Sequence, residues 1–288
     1  MYQTTLYRVG KNELDQDDLQ SLSKIEAYDR GILYGDGIFE TILIKNRKLI
    51  FFDAHIRRLN MGLRRLNITF NIPIPRIKEF LLDDILDAGE KAGTLRLTIT
   101  RGPNKGPLTF FKTDNPTIIV EVRPILETHP DEVVLITAAE RRNERSLLAS
   151  LKTINFLGNI AAKDEALSAK ADEALLLNTV GEVAECASSN LFAVINNSLI
   201  TPPLESGILP GITRNIVFSL ASKLSLKEQS RKLLPNELKM ASEIFITNSS
   251  QGITPVKEWD GQKFPGKEGP IVKQLIKAYD QEIEMESR

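Results

Sequence analysis

The sequence predicts an α+β protein of two domains, and three observations lead there. The chain has 288 residues, more than one small core usually needs. Its apolar pattern switches between strand and helix periods without a regular βαβ rhythm, which disfavours a doubly wound sheet. The segment Pro124 to Pro130 reads as a linker, separating an N-terminal α/β domain at 1–123 from a C-terminal domain at 131–288.

The elements follow in order. A short apolar stretch opens the chain and leads to Asp29-Arg30-Gly31 and Tyr34-Gly35-Asp36-Gly37. The alternating run Ile38 to Ile44 is a strand, and Lys45-Asn46-Arg47-Lys48 turns it into a second strand, Leu49-Ile50-Phe51-Phe52. Asp53 reads as a helix N-cap, because Ile56, Leu59, Leu63 and Leu66 recur at helical spacing behind it. A second amphipathic helix carries Ile77, Phe80, Leu81, Ile85 and Ala88 and stops between Gly89 and Gly93. Leu95 to Thr100 and Thr117 to Val122 are strands around the loop Gly102 to Pro107. Beyond the linker come a strand at Val133 to Thr137 and a helix from about Asn155 to Lys170. Strands follow at Glu173 to Leu177, Leu191 to Ile195 and Leu199-Ile200, then a helix starting near Gly211. A strand at Ile244 to Ile246 and a last helix with Ile271, Leu275, Tyr279 and Ile283 close the chain.

Bulk composition excludes several classes. With 37 basic against 38 acidic residues and a net charge of −1, the chain lacks the basic excess of a nucleic-acid binder. Arg57, Arg58, Arg64 and Arg65 then form a solvated or phosphate-facing surface. One cysteine, Cys186, rules out an intrachain disulfide, and two histidines, His55 and His129, make a metal site unexpected. Neither histidine lies near a nucleophile elbow. No signal-like segment or long apolar run is present, so a soluble cytoplasmic protein is expected, with no membrane partner.

Three motifs could carry chemistry. Leu209-Pro210-Gly211-Ile212-Thr213-Arg214 is a glycine turn opening a helix, where free N–H groups and the dipole suit a phosphate. By itself such a glycine is more often a plain turn. Glu185-Cys186-Ala187-Ser188-Ser189-Asn190 is a polar loop between apolar strands, either satisfying its own backbone or presenting Glu185 to a cavity. Lys152 stands in the apolar stretch Leu151 to Phe156. Most such lysines snorkel to the surface, but one held in an apolar site has a depressed pKa and becomes a nucleophile towards carbonyls.

Together with His55-Ile56-Arg57-Arg58-Leu59, in this order along the chain from about Asp29 to Pro255, these motifs resemble the class IV (fold-type IV) pyridoxal-phosphate enzymes. That family includes branched-chain aminotransferases, D-amino acid aminotransferases and aminodeoxychorismate lyases. The resemblance implies a smaller N-terminal domain, a larger C-terminal domain with a barrel-like sheet, and a homodimer in which the Gly102 to Pro107 loop crosses to the partner. It also implies the cofactor, pyridoxal 5'-phosphate. Lys152 would bond it covalently and later move the substrate's α-proton. Glu185 would lie against the ring nitrogen and keep it protonated. Arg58, the backbone of Gly211, Ile212 and Thr213, and the Thr213 hydroxyl would hold the phosphate, with Ser249 and Ser250 on a second phosphate-side turn. Leu209 would pack on the ring, and Glu40 would support the lysine region. His55 is read as a structural neighbour of Arg58, and Cys186 as packing only.

The branch within the family is narrower. Branched-chain enzymes place three residues between the lysine and Asn-Tyr. Here two separate Lys152 from Asn155-Phe156, which resembles the D-amino acid aminotransferase and aminodeoxychorismate lyase branches. The Arg-x-His carboxylate trap of D-amino acid enzymes has no counterpart in the Gly102 to Leu108 loop. Arg96 is its natural substitute and an equally natural surface arginine; Lys105 is a weaker one. Tyr34 and Phe39 match pocket-lining positions. The resemblance thus implies an aminotransferase acting on D-amino acids or a range of small amino acids and on 2-oxo acids. Two alternatives stay open: an aminodeoxychorismate lyase, and a homologue that binds the cofactor without catalysis.

Overall fold

The computed structural model of the chain describes residues 3–9, 19–21, 24–69, 75, 78–79, 81–83, 85, 89, 91–113, 115–124 and 130–288. The chain gathers into two compact units. One comprises Met1–Leu126, Leu151–Asn155 and Glu286–Arg288; the other comprises Glu127–Ser150 and Phe156–Met285.

The first unit is built on a six-stranded antiparallel sheet with the order β2-β1-β6-β5-β3-β4. The strands are β1 Gln3–Val9, β2 Leu19–Ser21, β3 Gly37–Lys45, β4 Lys48–Leu49, β5 Ala92–Thr100 and β6 Thr117–Pro124. Strict alternation puts Ile38, Ile42, Leu95, Leu97, Ile99 and Val120 on one face. Helix α2 (Phe52–Arg65) covers that face with Ile56, Leu59 and Leu63, and a five-residue helix α1 (Arg30–Tyr34) precedes β3.

Two details depart from the sequence reading. The expected strand Leu49 to Phe52 pairs only at Lys48–Leu49, because Phe51 adopts a left-handed φ of 53° and turns the chain into α2 two residues earlier. Asp53 is therefore inside the first helical turn rather than at the N-cap. It makes no cap, though its charge suits the dipole. Of the second expected helix, Ile77, Phe80 and Ala88 lie outside the described residues; Leu81 and Ile85 are helical and fully buried in the core of this unit. Residues 125–129 of the expected linker also lie outside them, and Pro124 ends β6.

At its start β3 has an edge that a distant segment fills. Phe39 N–H donates to Lys152 O (2.9 Å), Ile154 N–H donates to Gly37 O (3.1 Å), and Ile38 bridges Thr153. Residues 151–155 thereby join the first unit, although the chain on both sides of them belongs to the second.

The second unit carries a nine-stranded mixed sheet with the order β12-β11-β10-β13-β14-β7-β8-β9, and β15 on β14. Its strands are β7 Val133–Arg142, β8 Glu173–Asn178, β9 Val183–Cys186, β10 Asn190–Ile195, β11 Ser198–Thr201, β12 Lys227–Ser230, β13 Glu243–Asn248, β14 Gly252–Trp259 and β15 Gln262–Lys263. The pairs β14–β7, β7–β8 and β11–β12 are parallel. Its helices are α3 Leu157–Ser168, α4 Ile212–Lys223, α5 Pro235–Leu238 and α6 Pro270–Glu286. Leu191, Ile244, Ile246 and Trp259 form one core, and Ala162 and Ala166 of α3 pack with Ala174 and Leu176 in another. Strands and helices mix as an α+β fold requires.

Candidate active site

In the first unit the site residues gather around β3. Lys152, held at its edge, places its Nζ 4.5 Å from the centroid of the buried Phe39 ring. Arg96, directly across β5 from Thr41, lays its guanidinium 3.8 Å from the same centroid. Burial, and the nearby Arg123, lower the Arg96 pKa, and Glu121 raises it. Asn155 donates from Nδ2 to Gly35 O (2.6 Å), where Gly35 ends α1 at a φ of 64°. The short Lys152-to-Asn155 spacing thus ties the lysine segment to the end of α1.

On the opposite face of β3, Glu40 is completely buried. Arg58 grips it with two N–H donors, Nε to Oε1 at 2.8 Å and Nη2 to Oε2 at 2.6 Å. Such a bidentate guanidinium–carboxylate pair is the strong form of the interaction. Burial pushes the Glu40 carboxyl up, but Arg58 and His55 overcome it and bring the pKa down to about 2. An ionised carboxylate only accepts, so His55 Nδ1, 2.7 Å from Oε2, is the protonated ring nitrogen. Burial lowers the His55 pKa, opposed by Glu40 and assisted by Arg58 and Lys152. His55 is therefore a neutral strut that orients Glu40, which in turn orients Arg58.

The second unit brings together Glu185, Leu209 and the start of α4. Glu185 belongs to β9, not to a loop; the polar connection is only Ala187 to Ser189. Its carboxylate pairs with Arg142 (2.9 Å) and accepts from Leu209 N–H (2.9 Å) and Asn190 Nδ2 (3.2 Å). Asn190 also donates to Leu209 O (3.0 Å), so one amide fixes both the acid and the leucine turn. A Cβ on Gly211 would stand 1.9 Å from Asn190 Oδ1, which is why glycine occupies this corner. Gly211 caps α4 without a side-chain hydrogen bond, leaving the helix start to its own N–H groups.

The Thr213 hydroxyl is already engaged: it donates to Asn248 O (3.0 Å). Asn248 Oδ1 accepts from the Ser250 N–H (3.1 Å), the Ser250 hydroxyl (3.0 Å) and Gln251 N–H (2.8 Å), which builds the turn containing Ser249 and Ser250. Elsewhere in the first unit, Tyr34 is half-exposed beneath Arg30 (5.1 Å), and Lys105 lies 5.2 Å from the Tyr28 ring.

Sequence reasoning missed Arg142 and Asn190. Arg142 ends the run Glu140-Arg141-Arg142, which reads as a solvated charge cluster, and Asn190 reads as one more loop polar residue. A strand extended past Thr137 would have pointed to Arg142; nothing local marks Asn190.

Comparison with known proteins decides the family. Residues 37–259 match the family model described as "Amino-transferase class IV". The chain belongs to the class IV aminotransferases. It is by that membership a pyridoxal-phosphate-dependent transaminase of fold type IV. It is 35% identical over 262 residues to a "Putative branched-chain-amino-acid aminotransferase" of Methanocaldococcus jannaschii, covering 88% of this chain and 89% of the relative. It is 30% identical over 261 residues to the D-alanine aminotransferase of Bacillus licheniformis, covering 90% and 92%. Among solved structures, the 4-amino-4-deoxychorismate lyase of Pseudomonas aeruginosa superposes with a TM-score of 0.82 at 28% identity, over 90% of this chain and 96% of that one.

Proposed function

We propose that this chain uses pyridoxal phosphate, bonded through Lys152, to move amino groups between small amino acids, D-amino acids foremost, and 2-oxo acids. The carrying observation is the first-unit cluster: an amine 4.5 Å over Phe39 of β3, with Arg58 of α2 oriented by the buried Glu40 of β3, itself held by His55 of α2. The donor set fits the cofactor. In the first unit the Lys152 amine would suit its aldehyde and the Arg58 guanidinium its phosphate; in the second unit the helix start of α4 would suit the phosphate and the buried Glu185 a protonated ring nitrogen. Bound there, the cofactor supplies an electron sink for the carbanion left when the substrate's α-proton departs.

The chain's own residues do the rest. Lys152 would hold the cofactor through its amine, and that amine would take up and return the substrate's α-proton. Glu185, pinned by Arg142, Asn190 and the Leu209 N–H, would offer the ring nitrogen one fixed acceptor, and the Leu209 side chain would pack on the ring. In the second unit the N–H groups of Ile212 and Thr213 at the glycine corner of Gly211, with Ser249 and Ser250, would hold the phosphate; Arg58 of the first unit would be a cation for it. Arg96 binds the substrate carboxylate, with Phe39 and Tyr34 as pocket walls and Lys105 as a second cation. The protein acts as a homodimer in the cytoplasm. Exposed apolar side chains on α1 and on the segment between β5 and β6, among them Ile32, Leu33, Leu108 and Phe110, support a covered surface.

The D-amino acid preference rests on the two-residue Lys152-to-Asn155 gap and the D-alanine aminotransferase relative. That gap and the lyase neighbour also favour a second reading, elimination of pyruvate from aminodeoxychorismate. One screen separates them. The yellow holoenzyme is mixed with individual D- and L-amino acids, and spectral conversion of the bound cofactor is followed. Conversion by D-amino acids supports the proposal; 4-aminobenzoate from aminodeoxychorismate, with no conversion by any amino acid, replaces it with the lyase. Lys152→Ala is expected to abolish borohydride-fixable cofactor and activity together. A variant that retains either would remove Lys152 from its role.

A further inference from the structure

The α4 start has a neighbour that neither the family match nor the motifs assign. Tyr279 of α6 is buried, and its hydroxyl lies 3.4 Å from Thr213 Oγ1. The direction of this contact follows from the rest of the network. A carbonyl can only accept, so the Thr213 proton goes to Asn248 O, and Tyr279 is left as the donor to Thr213 Oγ1. Burial raises the Tyr279 phenol above its ordinary value, so it stays protonated, and a donor, across the working pH range. Its position is fixed by Gly252, which follows the Ser249-Ser250 turn at a φ of 69° and whose Cβ would come within 2.7 Å of the Tyr279 ring. The ring of α6 is therefore seated against the turn that carries Asn248.

We propose that Tyr279 is a positioning residue of the cofactor-phosphate cradle, donating to Thr213 so that the Thr213 hydroxyl is set as a donor to a phosphate oxygen. This rests on the reading of the α4 start as the phosphate site. The Thr213 proton is directed to Asn248 O; a phosphate oxygen at the α4 start, as a charged acceptor, would compete for it. The donor from Tyr279 then completes a chain, Tyr279 to Thr213 to phosphate, in which each hydrogen bond polarises the next. The C-terminal helix is thereby coupled to cofactor affinity without touching the cofactor.

The test compares two ligands of the apoprotein, pyridoxal phosphate and pyridoxal, which differ only in the phosphate. Tyr279→Phe keeps the ring against Gly252 and removes the donor alone. It is expected to weaken pyridoxal phosphate binding by about 3- to 10-fold, the effect of one hydrogen bond, while pyridoxal binding is unchanged. Thr213→Val should lower the phosphate preference by itself and make Tyr279→Phe silent when the two are combined; Thr213→Ser should restore the effect. If Tyr279→Phe weakens both ligands equally, or neither, Tyr279 only packs and the inference falls while the phosphate site stands. If the unaltered protein shows no preference for pyridoxal phosphate over pyridoxal, the phosphate reading itself falls and takes the inference with it. Additive losses in the double variant would likewise overturn the relay.

Discussion

Glu40 combines complete burial with full ionisation, and that makes it the most sensitive single side chain of the first unit. Its carboxyl has a pKa of about 2 in the folded protein against 4.5 ordinarily. A depressed acid contributes stability that is present above the ordinary value and is lost as pH falls from about 4.5 towards 2. The shift corresponds to about 3 kcal/mol. Glu40→Gln should flatten this acid limb. At neutral pH it should also cost about 3–5 kcal/mol, because the buried bidentate pair with Arg58 loses its charge. Denaturant titrations at pH 7 and pH 3 would show it; a variant whose stability falls with acid as steeply as the wild type would contradict the assignment. At this scale the sequence marks candidates and is silent about their partners. Lys152, Arg58, Glu185 and Thr213 are readable because they sit in ordered motifs. The hold of His55 on Glu40 and of Asn190 on Glu185 crosses between strands or from strand to helix, and no local pattern records it.

The elements that the sequence conceals are those whose two faces are alike. Val183–Cys186 is buried at every position, so the strand that carries Glu185 shows no alternation and reads as a loop. Gly252–Trp259 contains Pro255, ordinarily an argument against a central strand. It is tolerated because pairing with β7 starts only at Val256, so Pro255 lies in the β13 ladder alone. By contrast Ile38 to Ile44 and the α2 stripe are plain, because one face is apolar and the other is not. The junction of Leu209 to α4 is where an element boundary meets the site, and Gly211 is its test. In Gly211→Ala the new methyl would displace Asn190, loosening both Glu185 and the Leu209 turn. The expected cost is about 1–3 kcal/mol of overpacking, read as a lower unfolding midpoint, together with weaker cofactor uptake. Asn190→Ala should relieve part of the packing cost. If Gly211→Ala is as damaging in the Asn190→Ala background as alone, the glycine serves some other purpose.

Each unit has its own sheet and its own apolar core, and the segment 151–155 belongs to the first despite lying within the sequence of the second. That crossing was not legible: Lys152 to Ile154 pair with Gly37 to Phe39 more than a hundred positions away, and loop closure over such a span leaves no local trace. What the first unit leaves uncovered is as telling as what it buries. Leu108 is 74% exposed, Ile32 60% and Phe110 49%, beside a half-exposed Tyr34. These residues stand on α1 and on the segment after Arg101. Arg101 is rigidly held: its guanidinium donates to both carboxylate oxygens of Asp36 (2.7 and 3.1 Å), to Leu66 O (2.6 Å) and to Phe111 O (2.5 Å). An apolar cluster braced by a buried ion pair is suited to docking rather than to solvent. On the homodimer proposal, Leu108→Asp with Phe110→Asp should place charge in the interface and shift the protein to monomer in sedimentation, with activity falling on dilution. The buried network leaves the fold of the variant intact, so its circular dichroism should match the wild type. A double variant that sediments as the wild type does, whether monomeric or dimeric, would take this surface out of the assembly.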